Sequence, residues 1–384
     1  MRRLAIGVLL AAAMAGVFLY TGIARDAEYR RLIAAGDAAL ARDESFPAIE
    51  AFSGAIALRS DAMLGYLKRG ETYRRRGELA AAHRDLTRAN SLDPEATRPL
   101  EQLGDVARAL GRYEEAAAHY AAYIALDDRD PRVLYKLALA HHLAQRPSRA
   151  IPLLRQALEL DPDLAEAHYL LGVGLADQAR LDEAVVDLHA AVRLRPGFLG
   201  AREALSGVLG RAGRLDEQLV QLEALAALEP DRVQREVDLA MAYARLGRTD
   251  MAILALGQTA ADHPERPQVY VALGRVWLDV ARVDDDRVAL SKAIAALRSV
   301  SRGSASSEAL TLLSRALRLS GQPDEAAAAL ELAVTRFPVD PAAFVELAEL
   351  VEQAGDDVRA ERLRVSHQAL TAPVAPAEQV SPSS

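Results

Sequence analysis

Apolar residues recur along this chain at helical spacing and alternate between small and large. Ala48, Ala82, Ala116, Ala150, Ala184, Ala252, Ala326 and Ala360 share one phase. Four residues beyond most of them stand Phe52, Leu86, Tyr120, Leu154, Leu188, Leu256 and Leu330, and three further on Ala55, Ala89, Ala157, Ala191 and Ala333 are small again. A stripe at i, i+4, i+7 is one face of a helix. A second set of helices is marked by Gly36, Gly70, Gly104, Ala138, Gly172, Ser206, Ala240 and Gly274, which fall 34 residues apart. Three residues after these, Tyr73, Ala107, His141, Leu175, Leu209, Tyr243 and Trp277 fill the same face. A glycine inside a helix costs about 1 kcal/mol relative to alanine. Its repetition therefore predicts a neighbouring helix too close for a larger side chain. Gly77, Gly111, Gly213, Gly247, Gly321 and Gly355 lie between the two sets and read as helix stops. Pro94, Pro162, Pro196, Pro230 and Pro264 close the second helices at intervals of 34 residues or a multiple of it; once, Asp128 takes that place and the turn shifts to Pro131.

A period of this length is two short helices with their turns, the signature of a stacked array in which each unit contacts its neighbours. From Asp26 onward the chain divides into ten such units. These positions resemble the tetratricopeptide repeat family. Leu92-Asp93-Pro94 and Leu160-Asp161-Pro162 match its helix ending in full, and Leu194-Arg195-Pro196 and Leu228-Glu229-Pro230 match it nearly. The resemblance covers residues 29–372. It implies an all-α, right-handed superhelical solenoid of about ten helix-turn-helix repeats. It also implies that the exposed face of each first helix lines a concave side, where relatives bind very diverse partners. Some positions depart from the pattern. Tyr123 and Thr259 replace the late small residue and predict wider joints, and Gln218 replaces an opening alanine. The unit after Pro264 is six residues longer. Val283-Asp284-Asp285-Asp286 lies near its inter-helix turn and Ser301-Arg302-Gly303-Ser304-Ala305-Ser306-Ser307 follows its second helix, so the stack is expected to be weakest there, as a candidate hinge. Residues 373–384, with Pro373, Pro376 and Pro382, read as a disordered tail.

The first segment does not follow the period. Residues 1–3 are polar at Arg2 and Arg3, and an almost unbroken apolar run extends from Leu4 to Ile23. About 20 helical residues cross the ~30 Å core of a bilayer. Residues 4–24 are therefore expected to form a transmembrane anchor, with residues 1–3 held in the cytoplasm by the two arginines. A cleaved signal peptide is the alternative, since Gly22-Ile23-Ala24 and Ala13-Met14-Ala15 offer small residues for cleavage. A buried first helix is a third reading. The anchor would place the array on the periplasmic side of a bacterial inner membrane, single-pass; signal cleavage would leave it soluble in the periplasm.

Composition narrows the chemistry. The net charge of −8 is spread without long single-sign runs, which argues against nucleic acid as a partner. No cysteine is present, so disulfides, thiolate metal sites and cysteine nucleophiles are excluded. The adjacent His141 and His142 cannot share a helical face and make a poor metal pair. His168, like His141, falls on a packing position. No metalloprotease helix, glycine-rich phosphate loop or nucleophile elbow occurs, and Asp284-Asp285-Asp286 lacks the spaced oxygens of a calcium loop. No catalytic residue, cofactor or metal is expected.

The family resemblance then directs attention to the first-helix face. It starts with Glu71, Arg74 and Arg75, continues through Glu101, Asp105 and Arg108, and reaches Tyr135, Leu139 and His142. Tyr169 and Val173 follow, and beyond Gly207 come Val237 and Met241. A charged entrance thus leads to an apolar, partly aromatic middle, which suits extended peptides or helices held by aromatic anchors. The lysine and asparagine clamp that some relatives use for chaperone tails does not fit, because Glu71, Arg74 and Asp105 stand at those positions. The expected role is a membrane-tethered protein–protein interaction scaffold in an envelope assembly or secretion system. The alternative is a non-catalytic glycan-binding or regulatory subunit of a polysaccharide-processing complex. That role needs solvent-facing aromatic platforms, and the single tryptophan, Trp277, sits on a packing face.

Overall fold

A small-residue face lets a neighbouring helix approach closely, and the chain builds a succession of helix pairs. The structure, a computed structural model, describes residues 2–284, 286–300 and 305–372; the side chains of residues 2–13, 15–19 and 284 lie outside that description. The described residues form twenty helices and no strand, a solenoid of helix pairs. Two compact units divide it, Met1–Ala201 and Arg202–Ser384. The first holds α1 (Arg2–Ala41), α2 (Ser45–Leu58), α3 (Met63–Arg75), α4 (Leu79–Leu92), α5 (Thr97–Ala109), α6 (Tyr113–Leu126), α7 (Pro131–Leu143), α8 (Pro147–Leu160), α9 (Ala165–Asp177) and α10 (Leu181–Leu194). Then come α11 (Leu199–Arg211), α12 (Leu215–Leu228), α13 (Val233–Arg245), α14 (Thr249–Asp262), α15 (Pro267–Asp284), α16 (Arg287–Ser299), α17 (Ser307–Leu319), α18 (Pro323–Ala333), α19 (Pro341–Gln353) and α20 (Asp357–Thr371).

The mid-helix glycines do what the pattern predicted. A Cβ on Gly36 would lie 2.3 Å from the Phe52 ring, and one on Gly70 2.9 Å from Leu86. Gly172 is similarly closed by Leu188, and Gly274 by Leu297. Phe52, Leu86, Leu188 and Leu297 of second helices therefore seat in the glycine notches of their own first helices. Phe52, Leu86, Tyr120, Leu154, Leu188, Leu256 and Leu330 are all fully buried, and each such burial stabilises by roughly 1.5–3 kcal/mol.

The other side of each second helix packs on the next pair. Leu67 of α3, Ala82, Leu86 and Ala89 of α4, and Leu103 and Val106 of α5 form one continuous cluster. Leu100 and Ala107 of α5 join α6 residues and Val133, Leu137 and Ala140 of α7 in the following one. The core thus runs along each unit as a chain of small clusters, as expected when stability comes from neighbour interfaces.

Turns between paired helices share one geometry. Gly77 has φ +76° and Gly111 φ +73°, and the Glu78 and Arg112 amides close the turns onto Tyr73 and Ala107 carbonyls at 2.9 Å. This is a left-handed C-terminal cap. The sequence pattern leaves gaps at Asp43, Gln145 and Ala179, yet these residues adopt the same left-handed conformation, with φ +61°, +60° and +59°. The array's closing bonds hold them there; the Arg180 amide reaches Leu175 at 2.9 Å.

Several expectations meet the structure at particular places. Tyr123 and Thr259, expected to widen joints, are buried; the Tyr123 hydroxyl donates to Asp130 at 3.2 Å and the Thr259 hydroxyl to the Ala255 carbonyl at 2.9 Å. Gln218 faces Gly210, where a Cβ would lie 2.7 Å from its amide nitrogen. The long unit owes its length to α15, which has 18 residues where α13 has 13, and to the longer linker between α16 and α17. Of the candidate hinge, Asp285 and residues 301–304 lie outside the described residues, as does the tail 373–384. Helix α1 runs 40 residues without a break, since Ile23 to Glu28 contains neither glycine nor proline. The expected anchor, 4–24, falls mostly on side chains outside the description. Among the described residues, no helix is long and apolar enough to cross a membrane.

Candidate interaction surface

First helices of successive pairs touch one another in both units, α3 with α5 and α7 with α9 in one, α13 with α15 and α15 with α17 in the other. Positions one period apart on these helices therefore form rows. Glu71, Asp105, Leu139 and Val173 make one row of the first unit, and Glu101, Tyr135 and Tyr169 make the row beside it.

The charged part of this surface is largely engaged within the fold. Glu71 is buried and accepts two hydrogen bonds from Arg98, at 2.6 and 3.1 Å. Arg74 donates to Gln102 at 2.8 Å. The ammonium of Lys136 bridges Glu101 at 2.6 Å and Asp105 at 3.0 Å. Asp105 also receives the Tyr120 hydroxyl at 2.7 Å. Each of these contacts joins one helix pair to the next or ties the two helices of a pair. Glu71, Arg74, Glu101 and Asp105 are thus braces of the stack as well as surface residues. Arg75 and Arg108 are exposed at the rim.

The aromatic part differs. Tyr135 is half-buried, and burial pushes its hydroxyl above the ordinary tyrosine range, with the Glu166 carboxylate adding to the effect. Tyr169 lies against Phe198, ring centroids 5.0 Å apart and planes at 53°. The Arg195 guanidinium sits 5.1 Å over the Phe198 ring and pairs with Glu166 at 2.5 Å. Leu139, His142 and Val173 are each half-buried along the same helices. The result is an apolar and aromatic strip flanked by the Glu166–Arg195 ion pair and by Arg108. Phe198, Glu166, Arg195 and Lys136 are not among the residues the sequence placed on this surface. Phe198 follows Pro196-Gly197 in a linker, outside the helical phase, so periodicity gave no signal for it.

In the second unit Val237 is buried and Met241 half-buried. With Gln234, Asp238, Val271 and Arg275 they line a cavity of about 430 Å³. Here α13 is held by Arg235, which is buried and pairs with Glu203 and, at 2.6 Å, with Glu229. Among the histidines the sequence weighed, His141 is half-buried, and burial with Arg149 and Arg146 nearby holds it below the usual imidazole range. The His168 ring bonds Asp187 at 2.8 Å and the Pro162 carbonyl at 3.1 Å, a structural tie between α9 and α10.

No curated protein matches the sequence. Among solved structures, the chain is similar to YrrB, a TPR protein with an unusual peptide-binding site, at 24% identity over 49% of this chain and 96% of that one, TM-score 0.44. It is also similar to yeast Tom70, at 15% identity over 91% and 93% of the two chains, TM-score 0.46. A tetratricopeptide repeat protein from Parabacteroides merdae matches at 17% identity over 65% of this chain and 98% of that one, TM-score 0.47. The family model for the tetratricopeptide repeat matches residues 101–165, 135–197, 237–301, 287–341 and 311–363, more than half of the chain. Glycine notches, left-handed caps and the helix phase all agree with that match, and the chain belongs to the tetratricopeptide repeat family.

Proposed function

We propose that this protein is an interaction scaffold whose first-helix strip, centred on Tyr135 and Tyr169, holds a segment of another protein. The observation that carries this reading is the contrast along one surface. Carboxylates at its charged end are engaged in internal ion pairs, whereas Tyr135, Leu139 and Val173 are half-buried and offer apolar surface, with Tyr169 set in place by Phe198. A preformed apolar strip with aromatic anchors binds at low ordering cost. Residues 4–23 would tether the array to a bacterial inner membrane, with the repeats in the periplasm, and the tether would raise the local concentration of the array around its partners.

The test is site-specific crosslinking on intact cells. A photoreactive residue at Val173 should capture a defined partner, and one at Arg88, exposed on α4, should not. The double substitution Tyr135→Ala and Tyr169→Ala should abolish that capture while leaving the helical circular dichroism intact. Equal capture from both positions, or capture unaffected by the double substitution, would remove the strip as the binding surface. Protease access to the array in spheroplasts checks its side of the membrane separately.

A further inference from the structure

His83 projects from α4, and Glu115 and His119 from α6 of the following pair. The His83 Nε2 lies 3.1 Å from Glu115 Oε1, and His119 Nε2 lies 3.9 Å from the same oxygen. One ligand atom from each residue falls within 4.8 Å of the other two, and all three side chains are half-buried. Glu115 and His119 are four apart on one helix and share a face. His83 comes from the preceding pair, so the cluster exists only because the pairs stack.

We infer that His83, Glu115 and His119 form a binding site for a divalent transition-metal ion of the zinc type, which would staple α4 to α6.

Chemistry and geometry support it together. Two imidazoles and one carboxylate are a zinc-type donor set, and three protein ligands with an open fourth position are a familiar arrangement. Calcium and magnesium prefer all-oxygen sites and are poorly served by it. Around an ion bound at ~2.0–2.2 Å, tetrahedral donors sit roughly 3.3 Å apart. One pair is already within that separation, and the others close by small side-chain rotations. Glu115 is also divided suitably between its two oxygens. Oε2 faces Arg112 at 3.5 Å, while Oε1 faces both histidines. A partner on the far oxygen is the kind of outer contact that orients a metal ligand.

The cluster is not a by-product of the repeat. One period later the corresponding positions hold Ala117, Arg149 and Leu153, and one period after that Ile151, Glu183 and Asp187. Three donors with two imidazoles meet at this joint and at neither of the next two. The site lies on second helices, off the first-helix strip, so it is independent of the peptide-binding proposal.

The experiment is a zinc titration of the full-length chain, purified without a histidine tag, followed by calorimetry and thermal unfolding. A single stoichiometric ion should bind, and the unfolding temperature should rise, because the native state holds the assembled site and the unfolded chain does not. Magnesium at the same concentration should leave it unchanged. His83→Gln, Glu115→Gln and His119→Gln should each weaken zinc binding by at least about tenfold, given that loss of even an outer contact costs ~10–100-fold at metal sites. Their metal-free unfolding temperatures provide the control for folding. Should a variant fail to fold, the wild-type chain still decides the matter: zinc should protect His83 and His119, but not His263, from acylation by diethyl pyrocarbonate. No stoichiometric binding, undiminished binding by the variants, or protection that spares His83 and His119 would each overturn the assignment.

Discussion

The ring of Tyr120 occupies the space that a side chain on residue 104 would need: a Cβ on Gly104 would lie 2.4 Å from it. This notch joins α5 to α6, and Tyr120 is fully buried at its centre with its hydroxyl tied to Asp105. A stiff, enclosed ring has nowhere to retreat. Gly104→Ala should therefore destabilise the protein by about 1–3 kcal/mol, since overpacking outweighs the ~1 kcal/mol gained in helix propensity. Gly257 on α14 has nothing within reach of a Cβ. There the same substitution should stabilise by about 0.5–1 kcal/mol. Chemical denaturation of the two variants, compared side by side, checks both signs.

Ala179 holds φ +59° at a turn where six other turns use glycine. A left-handed conformation costs a non-glycine residue roughly 1–2 kcal/mol. Glycine at 179 removes that cost but adds unfolded-chain entropy of about 0.4–1 kcal/mol. Ala179→Gly should stabilise by a net ~0.5–1 kcal/mol, read as a higher denaturation midpoint with an unchanged slope.

Arg98 is 59% exposed while its partner Glu71 is 9% exposed. Arg98→Ala leaves that carboxylate enclosed without its main donor. The cost should be about 1 kcal/mol, at the low end for a stranded buried group because Arg98 itself is well solvated. Partner capture at Val173 should not change, because this pair braces α3 against α5. A loss of capture at unchanged stability would return Glu71 to the binding surface.

Tyr123 and Tyr120 are among the buried tyrosines on which alkaline stability depends. Burial, reinforced by Asp130, pushes the Tyr123 hydroxyl up to about 12. Burial with Asp105 raises Tyr120 as well. Both hydroxyls stay protonated longer in the folded chain than in the unfolded one, where tyrosine titrates near ~10. The Tyr123 contribution is therefore fully present below about pH 10 and is lost as pH rises through about 12, and that of Tyr120 declines over the same range. Tyr120→Phe should lower stability at pH 7 by about 1 kcal/mol, the worth of its hydrogen bond. It should also flatten the decline above pH 10, since each titrating group contributes up to ~1.4 kcal/mol per pH unit. An unchanged slope in thermal melts between pH 9 and 11.5 would show that Tyr120 does not carry the effect.

Repetition made the architecture readable. Gly36, Gly70 and Gly172 announced a close neighbour because glycine inside a helix is costly unless something occupies the missing volume, and the occupants proved to be Phe52, Leu86 and Leu188. Helix pairing was legible for the same reason: contacts within a repeat are short in sequence and recur in phase. Local irregularities were less legible. Gln145 and Ala179 gave no sign of a left-handed turn, because the bonds that impose it come from the helices around them.

The sequence by itself determined that the chain would be a row of helix pairs and which face of most helices is buried; these follow from local periodicity and from residues that restrict the backbone. Only the tertiary structure decided how the surface charges are spent. Glu71, Asp105 and Glu101 read alike as a charged entrance, yet stacking gives Arg98, Tyr120 and Lys136 to them as partners. It also brings Phe198 beside Tyr169, and His83 to Glu115 and His119. The physical reason is common to all of these. An electrostatic or aromatic contact depends on distances between side chains of different helix pairs, and those distances are fixed by how the pairs pack, which no single period of the sequence contains.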